Sequence, residues 1–304
     1  MKTDNLKKFR GILCTVIGGL LWGFSGTCWQ FVKQNYAVDA LWMTSFRMLT
    51  AGILLMTLCA VTKREQFKRL WATPKDLLSV FVFGVVGILF CQYTYLVAIS
   101  ASNAGTATVL QYTSPVMIML ITCVAMRKFP NLKEIFSIIL VLLGTFLLAT
   151  HGHADSLVIS KAGLAWGLIS AVAMTVYTME PVSILKKYNS LLVTAGGMLF
   201  GGIFITLIGR TWQSYVAVDA AGWLGIMGVV IPGTLIAYTL YMQGVSDIGA
   251  VKTSMLACIE PVAAAVFSAL WLGTGFVWID AVGFACIITT VFLVAGKDTA
   301  KSNS

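Results

Sequence analysis

The amino-acid sequence predicts an all-α membrane protein whose ten transmembrane helices form two inverted five-helix repeats. Apolar residues make up 58% of the chain and charged residues only 11%, whereas a soluble domain carries about 25% charged residues on its surface. The apolar residues come in runs of about 20, which is the length that crosses a hydrocarbon core of about 30 Å. Two stretches of the chain also resemble each other at a constant spacing.

Charged or turn-forming residues separate the apolar runs, as at Lys63-Arg64-Glu65 and at Arg127-Lys128. The predicted spans are 11–32, 40–62, 77–99, 104–126, 133–150, 161–182, 190–209, 221–244, 249–271 and 276–296. They divide the chain into a basic N-terminus (1–10), a first repeat (11–150), an extracytoplasmic linker (151–160), a second repeat (161–296) and a tail (297–304). The first apolar run is longer than the core of a signal peptide, so we expect it to be a retained span.

The distribution of lysine and arginine predicts the orientation of the chain. If the N-terminus lies in the cytoplasm, the loops on the other side hold only Lys33, Lys161 and Arg210. Cytoplasmic loops are enriched in Lys and Arg. We therefore expect a multi-pass protein of the cytoplasmic membrane with both termini in the cytoplasm.

An internal repeat links the two halves of the sequence. Tyr95 to Pro115 aligns with Tyr241 to Pro261 at a constant offset of 146 residues, which also pairs Gly87 with Gly233. Because each half holds five spans, an odd number, the second half enters the membrane from the opposite side. Inverted halves of this kind are typical of carriers that expose one mid-membrane site to each face in turn.

Other functions fit the sequence less well. The net charge of +9 is spread over short loops, which argues against nucleic-acid binding. The seven cysteines stand singly, and His151 and His153 offer two metal ligands without a third, so we expect no metal and no cofactor. No phosphate-binding loop is present. The alternatives to a carrier are a channel, a non-transporting receptor or, less favoured, a membrane-embedded enzyme.

Several motifs, in their order and spacing, give the chain a family resemblance over about residues 11–296. They are Trp22-Gly23, Arg47 with Ala51, the short turn before span four, Pro115, Glu260-Pro261, and Tyr177-x-x-x-Pro181 followed by Leu185-Lys186-Lys187-Tyr188. The chain resembles the drug/metabolite transporter superfamily, specifically its ten-helix EamA-type exporters. The resemblance implies outward movement of amino acids, related compounds or drugs. Arg127-Lys128 and Gly273-Thr274 stand where that family commonly has a glutamate in a turn.

Ionisable side chains inside a bilayer are costly and are therefore candidates for function. Glu260 lies about 17 Å from the cytoplasmic edge of span nine, and Pro261 frees a backbone carbonyl one turn back. This carboxylate could bind a substrate ammonium group or a coupling proton. Arg47 lies at a similar depth in span two, so it could pair with Glu260 or receive a substrate carboxylate. We expect Arg47, Glu260, Pro115 and Pro261 to take part in coupling or gating.

Uncharged polar and aromatic residues in the spans complete the predicted site. Aromatic walls with a few amides and hydroxyls suit a small amphipathic metabolite. The predicted substrate-binding residues are Trp22, Ser25, Gln30, Arg47, Gln92, Tyr95, Gln111, Tyr112, Tyr177, Tyr238, Tyr241 and Glu260. The expected partners are a small-molecule substrate, the lipid bilayer and, as a coupling ion, the proton. Faces of small residues could serve internal packing or a homodimer.

Overall fold

The computed structural model describes residues 2–101, 104–156, 160–214, 216–273, 275 and 277–295. This part of the chain is helical without strands, and ten of its helices are long and apolar enough to cross a membrane. We number them α1 (Asn5–Asn35), α2 (Ala40–Thr62), α3 (Pro74–Ala98), α4 (Ala107–Met126), α5 (Leu132–Thr150), α6 (Lys161–Lys186), α7 (Ser190–Gly209), α8 (Ala220–Ile248), α9 (Ala250–Leu272) and α10 (Trp278–Ala295). The predicted fold class is confirmed.

The observed helices differ from the predicted spans mainly at the helix ends on the face of the termini. Helix begins already at Lys2, so the basic residues 2–10 continue the first span. A short helix, Arg64–Ala72, follows α2 and buries Leu70 completely while its charged residues stay exposed. The sequence pattern did not separate this helix from a loop, because nine residues are too few to show an apolar period. The predicted tail, 297–304, lies outside the described residues.

The two halves interlock because each first helix packs within the other half. Helix α1 packs mainly on α8 and α9, and α6 packs mainly on α3 and α4. Helix α2 runs along α7, and α5 runs along α10. All of these contacts join one half to the other. Exchanging the halves turns each contact into an equivalent one or into itself, as an inverted repeat requires.

Glycines allow the closest of these contacts. Gly84 of α3 faces Gly197 and Gly201 of α7, and a Cβ atom on any of the three would collide with a neighbouring atom. Gly144 of α5 and Gly283 of α10 face each other in the same way. In a bilayer, helix association depends on this kind of close van der Waals packing, since apolar burial gives no advantage over lipid.

The irregular segments of the helices follow the repeat. Helix α3 widens into a π-helix at Phe83–Leu89, and α8 does so at Ile231–Ile236, around the paired glycines Gly87 and Gly233. Helix α4 is interrupted at 112–113 and α9 at 258–259, positions that are related by the offset of 146. Breaks at equivalent depths show that the repeat extends to backbone detail.

The turn between α4 and α5 has the same structure as the turn between α9 and α10. Arg127 and Gly273, again 146 residues apart, end their helices in the left-handed conformation. The Glu134 carboxylate then accepts the backbone N–H of Asn131, and the Asp280 carboxylate accepts that of Val277, each at 3.0 Å. Carboxylates in this position satisfy an N–H group that the helix start leaves free.

A tyrosine–aspartate hydrogen bond joins loops from the two halves at each face. On the face of the termini, Tyr188 donates to Asp76 at 2.9 Å, and Lys187 binds the same carboxylate. On the other face Tyr36 donates to Asp219. This bond lowers the pKa of Asp219 and raises the pKa of Tyr36, because it favours the ionised acid and the neutral phenol. The face of the termini is thus tied from the start of α3 to the loop between α6 and α7. The other face is tied from the loop between α1 and α2 to the loop between α7 and α8.

Replacing Gly84 by alanine tests the close packing of α3 on α7. The added Cβ would collide with the backbone of Gly197, which cannot move aside as a flexible side chain can. We expect a loss of about 1–3 kcal/mol of stability, measured by thermal unfolding in detergent. Gly26→Ala is the matched control, since no atom lies within 4 Å of its added Cβ. Equal unfolding temperatures for the two variants would contradict the packing argument.

Candidate functional site

A cavity of about 620 Å³ lies between the two halves and reaches the middle of the helices. Its volume falls in the range of about 300–1,000 Å³ that is typical of small-molecule sites. Most of the predicted site residues line it: Trp22, Ser25, Gln30, Arg47, Gln92, Tyr95, Gln111, Tyr112, Tyr177, Tyr238, Glu260 and Pro261. Side chains that the sequence places in seven different helices are therefore brought to one space.

The cavity opens towards the face opposite the termini. Its lining includes Lys33 and Gln34 at the end of α1 and Ala40 at the start of α2. It also includes His151, which follows α5, and Asp280 in the first turn of α10. All of these residues stand at helix ends remote from the N-terminus. If the termini lie in the cytoplasm, as the sequence predicts, the structure is open to the outside.

The opposite end of the cavity is closed by an aromatic layer. The Trp22 ring lies 5.0 Å from the rings of both Tyr238 and Tyr241, and Tyr177 stacks on Tyr241 at 5.5 Å. Tyr241 is fully buried and bonds to Thr178, so it supports the floor instead of lining the cavity as predicted. Below this layer, Arg10 of α1 and Asp247 of α8 form an ion pair at 2.7 Å.

Glu260 stands at the break in α9, where it begins the second helical segment together with Pro261. Tyr112, at the equivalent break in α4, donates its hydroxyl to the Glu260 carboxylate at 2.7 Å. This bond crosses from the first half to the second. The repeat places Ser114 at the position of Glu260 and Cys258 at the position of Tyr112, so the carboxylate occurs in one half alone.

The pairing of Arg47 with Glu260, one of the two alternatives left open by the sequence, is not formed in this structure. No nitrogen of Arg47 lies within ion-pairing distance of the Glu260 carboxylate, although both side chains line the cavity. The helices that carry the two residues, α2 and α9, are not close packing neighbours. The cavity therefore offers a separate cation and a separate carboxylate.

Several buried polar atoms of residues that line the cavity have no hydrogen-bond partner within the described part of the chain. They are Trp22 Nε1, Arg47 Nε, both amide atoms of Gln92, Thr145 Oγ1 and Tyr177 Oη. Buried polar atoms normally have partners, since leaving one unpaired costs about 1–3 kcal/mol. The residues around the cavity therefore hold unpaired polar atoms just behind its surface.

Two other polar residues of the predicted site bond to neighbouring side chains. Gln111 donates to Ser170 at 2.7 Å, and the hydroxyls of Tyr95 and Thr108 lie 2.8 Å apart. Gln92, which is only 2% exposed, keeps both of its amide atoms buried and unpaired in this conformation. Pro115, predicted for gating, is buried at the break of α4 and is absent from the cavity lining.

Sequence reasoning missed the residues at the mouth of the cavity. The Nδ1 atom of His151, at the end of α5, lies 2.8 Å from the buried Asp280 carboxylate at the start of α10. An acid in the first turn of a helix is usually a cap, which Asp280 also is, so its sequence position gave no signal. Thr145 was missed as well, because a lone threonine in an apolar span commonly bonds to its own helix.

The comparisons with known proteins agree with this architecture. The model of the EamA-like transporter family matches residues 9–150 and again 161–296. The chain is 37% identical to the uncharacterized inner membrane transporter YicL of Salmonella typhimurium over 286 residues, which cover 94% of the chain and 95% of YicL. It is 24% identical to an uncharacterized transporter of Archaeoglobus fulgidus over 65% of the chain and 66% of that relative.

A solved crystal structure also shares the fold. It superposes with a TM-score of 0.73 over 96% of each chain, at 17% sequence identity. At this identity the likeness concerns the arrangement of the helices and carries no information about a ligand.

A double-mutant cycle tests the bond between the two halves. Tyr112→Phe and Glu260→Gln each weaken the same hydrogen bond, so their effects on thermal unfolding should be non-additive by about 0.5–3 kcal/mol. The matched control is the cycle of Tyr95→Phe with Glu260→Gln, because Tyr95 bonds to Thr108. Additive effects in the Tyr112 cycle, or equal coupling in both cycles, would contradict the geometry.

Proposed function

The chain belongs to the EamA-like transporter family, and from that membership we propose that it is a secondary carrier of small zwitterionic metabolites. Amino acids and related compounds are the substrate class, and alternating access between the two halves is the mechanism. We place the protein in the cytoplasmic membrane with both termini inside, as the distribution of Lys and Arg predicts. The inner membrane transporter YicL, its relative, supports this location.

The observation that carries the substrate class is the separation of Arg47 from Glu260 within one cavity. An ion pair between them would neutralise both charges, whereas separate charges suit a ligand that bears one charge of each sign. The Arg47 guanidinium can bind a carboxylate through two parallel hydrogen bonds. The Glu260 carboxylate can accept from an ammonium group.

The aromatic residues provide the remaining contacts. Trp22, Tyr177 and Tyr238 border the cavity floor and offer flat apolar surface. Aromatic side chains add contact area at low conformational cost, so they can accommodate the variable side chain of an amino acid. The resemblance to EamA-type exporters favours outward transport.

We further propose that Glu260 is the group that couples transport to protons. It is the acid that lines the centre of the cavity, and within the described part of the chain its carboxylate is bonded by a neutral hydroxyl, that of Tyr112. A carboxylate held in this way can release a proton when the cavity faces one side and bind one when it faces the other. Binding of a substrate ammonium group would compete with the proton for the same oxygen atoms.

The zwitterion requirement is tested by thermal unfolding of the purified protein with a panel of amino acids. Each amino acid is compared with its decarboxylated amine and its deaminated acid. A ligand at about 100 times its Kd stabilises the protein by about 2.7 kcal/mol, and we expect this only for the zwitterions. Arg47→Gln should abolish the stabilisation, whereas Lys33→Gln at the mouth should preserve it. Equal stabilisation by the amine alone would contradict the role of Arg47.

The role of Glu260 is tested in proteoliposomes with the amino acid that the unfolding assay identifies. We expect Glu260→Gln to abolish accumulation driven by a proton gradient and to leave exchange of labelled for unlabelled substrate largely intact. Glu180→Gln is the control, since Glu180 also precedes a proline but does not line the cavity. Loss of both activities, or of neither, would exclude Glu260 as the coupling group.

A further inference from the structure

A second, smaller groove lies on the face of the termini, away from the central cavity. Its volume is about 220 Å³. The lining residues come from the end of α4, the turn before α5, the start of α5 and the start of α9: Met119, Thr122, Cys123, Met126, Lys128, Phe129, Asn131, Glu134 and Val251. The groove shares no lining residue with the central cavity.

The internal repeat relates this groove to the mouth of the central cavity. At the offset of 146 residues, four residues of the mouth correspond to four residues of the groove: Ala265 to Met119, Ser268 to Thr122, Gly275 to Phe129, and Asp280 to Glu134. The two depressions therefore share equivalent positions along the ends of α4 and α9 and the starts of α5 and α10. They lie on opposite faces because the halves are inverted.

The groove is shut off from the centre by a small apolar cluster. Met119 of α4 packs with Ile138 of α5 and Met255 of α9, each at most 8% exposed, and Val294 of α10 packs against them. At the mouth, the equivalent of Val294 is Leu148, which lines the open cavity. Helices α4, α5, α9 and α10 thus pack together near the face of the termini, and at the other face they border the open cavity.

We propose that the groove is the collapsed entrance through which the transported solute reaches the central cavity from the face of the termini. The proposal rests on the carrier function proposed above. When the outer mouth closes, the cluster around Met119 separates and the groove joins the cavity, as the inverted repeat requires of its two equivalent ends.

Charged residues border both depressions. Lys128 and Glu134 border the groove, as Lys33 and Asp280 border the outer mouth. Glu134 accepts the backbone N–H of Asn131 and Asp280 that of Val277, so both carboxylates fix the turn at their own rim.

The experiment measures the reactivity of one cysteine at each entrance. Cys123, a native and partly buried residue, reports on the groove, and Ser268→Cys reports on the outer mouth. The protein in nanodiscs is treated with a polar maleimide, and mass spectrometry of the peptides gives the labelling rate at each site. This readout needs no substrate, so it is independent of the transport assays.

Tryptophan wedges then shift the balance between the two states. Met119→Trp is too large for the closed cluster, so we expect it to hold the groove open, raise labelling of Cys123 several-fold and lower labelling at position 268. Ala265→Trp should hold the outer mouth open and therefore lower the labelling of Cys123. A bulky side chain favours the conformation that has room for it. Leu120→Trp and Val266→Trp, a repeat-related pair that faces outward, are the matched controls and should change neither rate.

The reciprocal change distinguishes an entrance from a dead-end groove. If Met119→Trp raises labelling of Cys123 and leaves position 268 unchanged, the groove is not coupled to the mouth and the proposal is wrong. Unfolding would raise both rates, and in that case Thr122→Trp, at a half-buried position, replaces Met119→Trp and decides by the same criterion. Substrate exchange without reciprocal labelling would overturn this inference alone, whereas absence of exchange by every amino acid would overturn the carrier function.

Discussion

The bilayer cannot hydrogen-bond to the polypeptide, and the structure depends on this constraint. Each backbone group in the membrane must find a partner in the protein, so a helix can be interrupted only where a neighbour or a cavity replaces the lost bond. The interruptions of α4 and α9 meet this condition, since residues at both breaks border the central cavity or the bond between Tyr112 and Glu260. The irregular backbone and the polar site therefore occur at one place for one reason.

A nearly symmetric scaffold carries an asymmetric site. The π-helical segments, the helix breaks and the left-handed caps recur at equivalent positions in both halves, which gives the two ends of the molecule comparable ways to open. The charged groups at the centre do not recur, since Ser114 stands where the second half has Glu260 and Val193 stands where the first half has Arg47. The backbone is therefore nearly symmetric, whereas the side chains around the central cavity are not.

Contacts between the halves fall into two kinds. The glycine contacts of α3 with α7 and of α5 with α10 bring backbones together and leave little freedom to part. The contacts near the cavity are between side chains, such as the aromatic floor and the Met119 cluster, and side chains can repack at lower cost than backbones. The structure thus combines seams of close backbone contact with side-chain contacts around the cavity and the groove.

The sequence by itself determined the ten spans, the internal repeat and most members of the site. Apolar length and the offset of 146 residues are local or linear properties, and a polar residue in an apolar span is conspicuous wherever it lies. The relation between Arg47 and Glu260 was decided only in the tertiary structure. Similar depth made their pairing plausible, but depth does not give the rotation of each helix or the identity of its neighbours. The aromatic floor under Tyr241, the bond from Tyr112 and the role of Asp280 at the mouth likewise depend on side chains from distant helices, whose meeting is set by packing and not by spacing along the chain.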